Sequence, residues 1–133
     1  MLEENKALVR DFLMKSNKEG RTIVEFCVPN FKAHIGASPT MNLQEFQKFQ
    51  TNYYASFSES QITLEDMIAE GDKVAFRGVV RAVHTREFNG IPASGKSVAV
   101  PVIGMAKIID GKIVEWWNSP DRLSWMQQIG AVH

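Results

Sequence analysis

The feature that most limits the possible folds of this chain is a change in hydrophobic periodicity near Gln61. Before Gln61 the apolar residues recur every three or four positions, which is the spacing of one face of an α-helix. After it they alternate with polar residues, which is the spacing of a β-strand with one buried face. The first part therefore predicts three helices, at about residues 3–16, 22–28 and 42–57. The second part predicts strands that begin at Ile62.

Two of these helices have capping signals in their first turn. Thr22 is followed three residues later by Glu25, and Asn42 is followed three residues later by Glu45. In such a capping box, each of the two side chains accepts a hydrogen bond from the backbone N–H group of the other residue. Because Pro29 cannot continue a helix, we expect the second helix to end before it.

Turn sequences divide the second part of the chain into strands. Glu70-Gly71-Asp72 and Asp110-Gly111 are typical hairpin turns. They predict long strands at Lys73 to His84, Lys96 to Ile109 and Lys112 to Asn118. Ser119 and Pro120 then match an N-cap and the first position of a final helix, which Gly130 ends. Helices followed by consecutive strands indicate an α+β fold, with the helices on one face of a curved antiparallel sheet.

One predicted strand is apolar on both faces. Its alternating positions are Val98, Val100, Val102, Gly104 and Ala106 on one face, and Ala99, Pro101, Ile103 and Met105 on the other. Helices packed on one side of a sheet cover only one of these faces. We therefore expect a second copy of the chain to cover the other, in a homodimer. Since Pro101 has no N–H group, it also predicts a sheet edge, a bulge or a bend.

The composition indicates one globular domain over the whole chain. Basic and acidic residues number 15 each, so the formal net charge is zero and we expect neither nucleic acid nor a membrane as a partner. The longest apolar run, Val98 to Ala106, is too short to span a bilayer. Cys27 is the single cysteine and the first residues lack a signal-peptide pattern, so we expect a reducing, cytoplasmic location. The spacing of His34, His84 and His133 does not match a metal site, and no cofactor is expected.

Several segments match a known family in order and spacing. They are Ala69 to Val74, His84 to Pro92 with Gly95-Lys96, Ile109 to Glu115 with Trp117, Pro120-Asp121, and Gln128 to Gly130. In these segments the chain resembles the SnoaL-like polyketide cyclases and ester cyclases of the nuclear transport factor two-like superfamily. The resemblance implies a cone-shaped α+β barrel, usually dimeric, with one deep pocket between the curved sheet and the helices. It also implies ring closure by intramolecular aldol condensation, without metal or cofactor.

The resemblance places the catalytic aspartate of the aromatic-polyketide cyclases at Asn118. An amide has no titratable proton near neutral pH, so Asn118 cannot act as a general acid or base. The polar side chains that support that aspartate fall on Val102 and Gly104. Many relatives have histidine at Trp116 and tryptophan at Gly78. The resemblance therefore implies a pocket more apolar than that of a working aldol cyclase, with additional room beside Gly78.

Two titratable residues are the remaining candidates for acid/base catalysis. Asp121 follows the last strand, although a carboxylate in the first turn of a helix is also favoured by the helix dipole. Histidine is the side chain most often used for proton transfer near neutral pH, which makes His34 the second candidate. The alternative for His34 is to line the pocket and form hydrogen bonds there. For His84, at the end of a long strand, we favour anchoring of the following loop. We expect the ligand to contact Asn118, Trp116, Val100, Val102, Gly104, Tyr53, Phe12 and Gly78.

Two functions of different class agree with these observations. The first is a cofactor-independent cyclase or isomerase that acts on a small hydrophobic carbonyl compound. The second is a non-catalytic protein that binds such a compound in the same pocket. A titratable group near Asn118 favours the enzyme, whereas a pocket formed only by apolar residues and amides favours binding.

Overall fold

The computed structural model describes residues 1–131. The first half contains helix α1 (Leu2–Glu19), strands β1 (Cys27–Ile35) and β2 (Met41–Asn42), and helix α2 (Leu43–Ser56). The second half contains strands β3 (Phe57–Glu70), β4 (Lys73–His84), β5 (Ser97–Ile109) and β6 (Lys112–Pro120), and helix α3 (Arg122–Gln128). The predicted α+β class is confirmed.

The six strands form one open sheet in the order β2-β1-β6-β5-β4-β3. Four neighbouring pairs are antiparallel, but β1 and β6 run parallel, with Ala33 beside Trp116 and His34 beside Trp117. The prediction of a purely antiparallel sheet is therefore wrong. The consecutive pairs from β3 to β6 leave one edge of β6 with unpaired backbone groups, and β1 pairs with that edge.

The helix predicted at residues 22–28 does not form. A single 3₁₀ turn occupies Val24–Phe26, and β1 begins at Cys27. The predicted capping box is absent, since the hydroxyl of Thr22 is buried and has no hydrogen-bond partner among residues 1–131. Cys27 instead pairs with Ile113 of β6. Pairing along a strand satisfies more backbone groups here than one helical turn would.

Helices α1 and α2 cover the inner face of the sheet. Asn42 caps α2 as predicted: its Oδ1 accepts from the N–H of Glu45 at 2.9 Å, and its own N–H donates to Glu45 Oε1 at 2.9 Å. Val9 and Phe12 of α1 and Phe46 of α2 are buried in one hydrophobic core with residues of the strands. The two helices thus form the wall opposite the sheet.

The final helix starts later than predicted. Strand β6 continues through Pro120, which pairs with Val102 at the end of the β5–β6 ladder. Asp121, and not Ser119, is the N-cap of α3, and its Oδ1 accepts from the N–H of Ser124 at 3.0 Å. A proline is tolerated at this point because it lies at the end of a ladder, where its missing N–H group removes no sheet hydrogen bond.

Pro101 pairs with Val79 of β4 but lies just beyond the last β5–β6 pair, Val102 with Pro120. Of the three predicted alternatives, an edge, a bulge or a bend, this position agrees with an edge on the β6 side only. Beyond Pro120, other groups form hydrogen bonds with the backbone of β5 on this side. The N–H of Asp121 donates to the carbonyl of Pro101 at 3.0 Å. The side-chain amide of Gln128 accepts from the N–H of Ala99 at 2.7 Å and donates to its carbonyl at 2.8 Å. Because α3 is tied to the edge of β5 in this way, its side chains have a defined position over the end of the sheet.

Candidate functional site

A cavity of about 450 Å³ lies between the inner face of the sheet and the helices. Its volume is typical of small-molecule sites. Most of its wall is aromatic or aliphatic, with contributions from all three α-helices, from the sheet and from the loop between β4 and β5. The apolar wall residues are Phe12, Leu13, Ile35, Phe46, Phe49, Ile62, Phe76, Val80, Phe88, Val102, Pro120 and Met126, together with Tyr53, Tyr54, Trp116 and Trp125.

Strand β6 contributes to the cavity wall through its alternating side chains. Trp116 and Asn118 line the cavity, whereas Glu115 and Trp117 lie on the outer face of the sheet. Trp116 is 1 % exposed and its ring packs edge-on against Phe12, with centroids 5.1 Å apart. Of the residues predicted to contact a ligand, the cavity wall contains Phe12, Tyr53, Val102, Trp116 and Asn118. Their contact with a ligand stays a prediction.

Five residues of the cavity wall have a buried polar atom without a hydrogen-bond partner among residues 1–131. These atoms are Ser16 Oγ, Thr22 Oγ1, Trp116 Nε1, Asn118 Oδ1 and Trp125 Nε1. A buried polar group without a partner costs about 1–3 kcal/mol, so proteins rarely retain one without a reason. Hydrogen-bonding groups on a bound compound would satisfy them. The wall therefore combines apolar surface with a few unpaired donors and acceptors.

Tyr53 belongs to a buried chain of hydrogen bonds beside the cavity. Its hydroxyl lies 2.8 Å from Ser60 Oγ, which donates to Asn17 Oδ1 at 2.7 Å. Burial raises the pKa of Tyr53 to about 12, although the hydrogen bond to Ser60 opposes this shift. Burial also raises the pKa of Tyr54. Both hydroxyls are therefore protonated at neutral pH, so neither is a general base there.

His34 does not reach the cavity, so its predicted place in the pocket is wrong. Its Nε2 lies 2.6 Å from Glu115 Oε2, Thr40 Oγ1 lies 3.2 Å from its Nδ1, and its ring stacks on Trp117 with centroids 5.4 Å apart. The parallel register explains this orientation: Ala33 pairs with Trp116 and takes the inward position. Successive side chains of a strand point to opposite faces, so His34 lies on the outer face.

Asp121 is also absent from the cavity wall, although its neighbours Pro120 and Arg122 belong to it. Its exposed carboxylate caps α3 through Ser124. This is the structural role that the sequence allows as the alternative to catalysis. Neither titratable candidate therefore reaches the polar groups around Asn118.

Three further predicted contact residues lie in the sheet but not in the cavity wall. Gly78 has no room beside it, because a Cβ atom there would clash with the backbone carbonyl of Thr63 in the neighbouring strand. At Gly104 the ring of Phe76 occupies the space that a side chain would fill. Val100 is fully buried in a second hydrophobic cluster, with Tyr53, Phe57, Ala82, Val98 and Ile129. The prediction of extra room beside Gly78 is wrong, since the backbone of β3 passes close to it.

His84 anchors the loop between β4 and β5. Its Nδ1 accepts from the N–H of Ser94 at 3.2 Å and lies 2.9 Å from Ser94 Oγ, while its backbone carbonyl accepts from the N–H of Gly95 at 2.8 Å. Its ring stacks on Phe57, with centroids 5.0 Å apart. The same loop brings Phe88 into the cavity wall. The predicted anchoring role agrees with these contacts.

Several wall residues were not predicted from the sequence, and Arg122 is the most informative of them. It is the one charged residue in the cavity wall, within residues 1–131. The sequence feature that could have indicated Arg122 is the start of the final helix. With Asp121 as the N-cap in place of Ser119, a different set of α3 side chains faces the cavity. Trp125, one turn further along α3, was missed for the same reason.

Outside the cavity, neither the cysteine nor a cluster of metal-ligand side chains forms a second site within residues 1–131. Burial raises the pKa of the Cys27 thiol to about 12, so it is not a nucleophile at neutral pH. Residues 1–131 contain no group of three His, Cys, Asp or Glu residues arranged to hold a metal ion. No helix within this range is long and apolar enough to cross a membrane.

Comparison with known proteins identifies the family. Solved structures with the same fold include AclR, a candidate hydroxylase from Streptomyces galilaeus (24% identity, 100% of both chains, TM-score 0.90). They also include a candidate SnoaL-like polyketide cyclase from Jannaschia sp. CCS1 (20% identity, 99% of this chain and 95% of that chain, TM-score 0.88). A third is wild-type IdmH, a candidate polyketide cyclase from Streptomyces antibioticus (25% identity, 95% of this chain and 98% of that chain, TM-score 0.82).

No curated protein matches the chain significantly. The family model described as SnoaL-like polyketide cyclase, however, matches residues 7–129, which is nearly the whole chain. Together with the shared fold, this match shows that the chain belongs to the SnoaL-like polyketide cyclase family.

Proposed function

We propose that this protein is a cofactor-independent cyclase or isomerase that acts on a small hydrophobic carbonyl compound. The observation that carries the proposal is the apolar cavity whose wall residues include Trp116, Asn118 and Trp125, each with an unpaired buried polar atom. Indole N–H groups are donors, and an amide supplies both a donor and an acceptor. This set matches a hydrophobic compound with several carbonyl or hydroxyl oxygens. Membership of the family and the description of IdmH as a candidate polyketide cyclase also support it.

The proposed reaction is an intramolecular aldol closure. A proton moves from a carbon beside one carbonyl group to its oxygen, and the resulting enol carbon forms a bond with a second carbonyl carbon. As this bond forms, the enol oxygen loses its proton and becomes a carbonyl oxygen again, while the second carbonyl oxygen gains negative charge and takes up a proton to become a hydroxyl group. The Trp116 N–H and the Asn118 amide would stabilise that oxygen by hydrogen bonding inside a cavity that excludes bulk water. The wall has no carboxylate or imidazole within residues 1–131, so proton transfer would rely on water or on the substrate's own oxygens.

The lack of a carboxylate or imidazole in the cavity wall, within residues 1–131, favours a second candidate function, which is binding without turnover. A general acid or base typically contributes about 100- to 10,000-fold to a rate. Without such a group, the cavity would hold the compound in a folded conformation and leave it chemically unchanged. Incubating the protein with an enolisable poly-β-ketone and measuring the ring-closed product by mass spectrometry separates the two candidates. A rate equal to that of buffer alone would favour binding.

Ligand binding itself is testable through the intrinsic fluorescence of Trp116 and Trp125. We expect aromatic diketones such as anthraquinone to quench the emission at micromolar concentrations, because both indoles are in the cavity wall. A charged sugar or a nucleotide serves as the negative control, since its many hydroxyl or phosphate groups would be desolvated in an apolar cavity. Quenching by the nucleotide with no effect of the diketone would overturn the assignment.

We also propose that the protein is a homodimer in which the outer face of β5 meets its counterpart. Ile103 is 63 % exposed there, next to Pro101. Arg77 on the neighbouring strand forms ion pairs at 3.0 Å with both Glu65 and Asp66. The face therefore carries an apolar centre beside charges of both signs. A twofold axis would make such a face self-complementary.

Sedimentation velocity checks the dimer. We expect Ile103→Asp to convert a dimer into a monomer, because a carboxylate at the centre of an apolar interface must be desolvated. Leu2→Asp is the matched control, since Leu2 is an exposed apolar residue at the start of α1, away from the sheet. A wild-type protein that sediments as a monomer at micromolar concentration would contradict the proposal.

A cytoplasmic location completes the proposal. The single cysteine, Cys27, is buried and forms no disulfide, as is usual for proteins of reducing compartments.

A further inference from the structure

One charged side chain stands in the wall of the otherwise uncharged cavity. Arg122, the first residue of α3, is exposed and lines the cavity together with the polar residues Ser38, Gln50 and Asn89. Since an exposed wall residue borders solvent, Arg122 lies at the opening and the apolar body of the cavity lies behind it. No other wall residue in the described part of the chain carries a charge.

The guanidinium group of Arg122 is held in place by the turn that follows β1. Its Nη2 donates to Ser38 Oγ at 3.0 Å, and a Cβ atom at Gly36 would lie only 3.7 Å from Arg122 Cζ, so the guanidinium packs against that glycine. Gly36 has a φ of 52° and donates its N–H to the carbonyl of Asn118 at 2.9 Å. Through Gly36, the cation is thus positioned relative to Asn118 of the cavity wall.

This cation has no carboxylate partner among residues 1–131. Two other arginines, Arg21 and Arg77, form ion pairs with two carboxylates each, but none of the ion pairs includes Arg122. The adjacent carboxylate of Asp121 accepts from the backbone of Ser124 instead. A guanidinium has five N–H donors, and the bond to Ser38 uses one of them. Several donors and a full positive charge therefore remain at the opening of the cavity.

We propose that the ligand is a hydrophobic acid, and that its carboxylate binds Arg122 while its apolar body fills the cavity. This inference rests on the proposed function and narrows its substrate class. A guanidinium matches a carboxylate in shape and binds it through two parallel hydrogen bonds. One cation among uncharged polar neighbours suits a group with a single negative charge. The uncharged part of the wall would then contact a carbonyl-bearing apolar body, and Arg122 would bind the acid group.

Matched probes test the inference on the intact protein. Anthraquinone-2-carboxylate and its methyl ester share one ring system and two carbonyl groups but differ in charge. We expect the wild-type protein to bind the acid about 10-fold more tightly than the ester in a tryptophan quenching titration, because a charged hydrogen-bonded pair at a partly exposed site contributes about 1.4 kcal/mol. Added salt should weaken binding of the acid and leave the ester unaffected.

Variants assign that preference to one side chain. Arg122→Gln should abolish the preference, so that the acid and the ester bind with equal affinity. Arg122→Lys should retain part of the preference because it keeps the charge without the planar fork. Arg10→Gln is the control, since Arg10 is an exposed arginine of α1 outside the cavity wall. Its preference should equal that of the wild type.

The outcomes separate this inference from the proposed function. The role of Arg122 is overturned if the wild type binds the acid and the ester equally, or if Arg122→Gln still prefers the acid. Either result leaves the cavity as a binding site. Failure of both probes to bind the wild type overturns the proposed function as well. Because binding of the ester reports an intact cavity, a misfolded variant is recognised by the loss of both ligands.

Discussion

Replacing Trp116 with alanine is expected to lower the free energy of unfolding by about 4 kcal/mol. The side chain is 1 % exposed, and its ring lies 5.1 Å from that of Phe12 and 5.3 Å from that of Phe76. The change removes these contacts and enlarges the adjacent cavity, so the loss combines lost burial with an unfilled void. Denaturant unfolding measures it as a shift in midpoint at unchanged slope.

The neighbouring tryptophan supplies the control. Trp117→Ala is expected to cost only about 1 kcal/mol, because Trp117 is half-buried and its contact is the stacking on His34 on the outer face. The two variants remove the same side chain from adjacent positions of β6. Equal losses would contradict the assignment of Trp116 to the inner face and Trp117 to the outer face.

Introducing a carboxylate at position 118 is expected to have the largest effect on the rate of ring closure. We expect Asn118→Asp to raise the rate of ring closure of a poly-β-ketone by about 100-fold or more, because a positioned general base contributes that much. Burial among apolar wall residues raises the pKa of a carboxyl group. The rate should therefore increase with pH through this raised pKa, since only the ionised form accepts a proton. Rates measured by mass spectrometry across pH give the profile.

The stability of the same variant gives an independent check. The carboxyl group introduced by Asn118→Asp should have a higher pKa in the folded chain than in the unfolded chain, where its pKa is about 3.9. Below that value both states are protonated and stability is unaffected. Above it the unfolded state ionises first, so the free energy of unfolding should fall relative to wild type until the folded-state pKa is passed. Asn118→Leu should show no such pH dependence.

Two variants test the residues outside the cavity. Asp121→Asn retains an oxygen that can cap α3, and His34→Gln retains hydrogen bonding on the outer face, so both should leave activity and ligand binding within about 2-fold of wild type. A loss of about 100-fold in either variant would make that residue the base and contradict its position in the structure. If Asn118→Asp creates the only measurable cyclase activity, the protein is a family scaffold that lacks its catalytic acid.

Local patterns in the sequence were sufficient for most of the helices and strands. Lys73–His84 matches the predicted strand at both ends, and Asn42 caps α2 with Glu45 as predicted. The alternation of side chains along β6 also explains why Trp116 and Trp117 lie on opposite faces of the sheet. These features depend on side-chain spacing and hydrogen bonds within a few residues, which each segment carries in its own sequence.

Short capping signals were less reliable than long periodic segments. Thr22 and Glu25 have the spacing of a capping box, yet the chain there forms a 3₁₀ turn followed by a strand. Ser119 and Pro120 resemble a helix start, yet they end β6. In both places pairing with a distant strand stabilises the extended conformation, and a four-residue signal contributes too little to oppose it.

The composition of the cavity wall depended on tertiary structure. His34 is 81 residues from Glu115 in the sequence, and the parallel register of β1 with β6 turned it to the outer face. The backbone of Thr63 closed the space beside Gly78, and the choice of Asp121 as N-cap placed Arg122 at the cavity. The sequence specified the helices, the strands and their alternation, because those interactions are local. Strand pairing and close approach between distant segments decided which side chains meet in the cavity, because no local pattern records the register between segments so far apart.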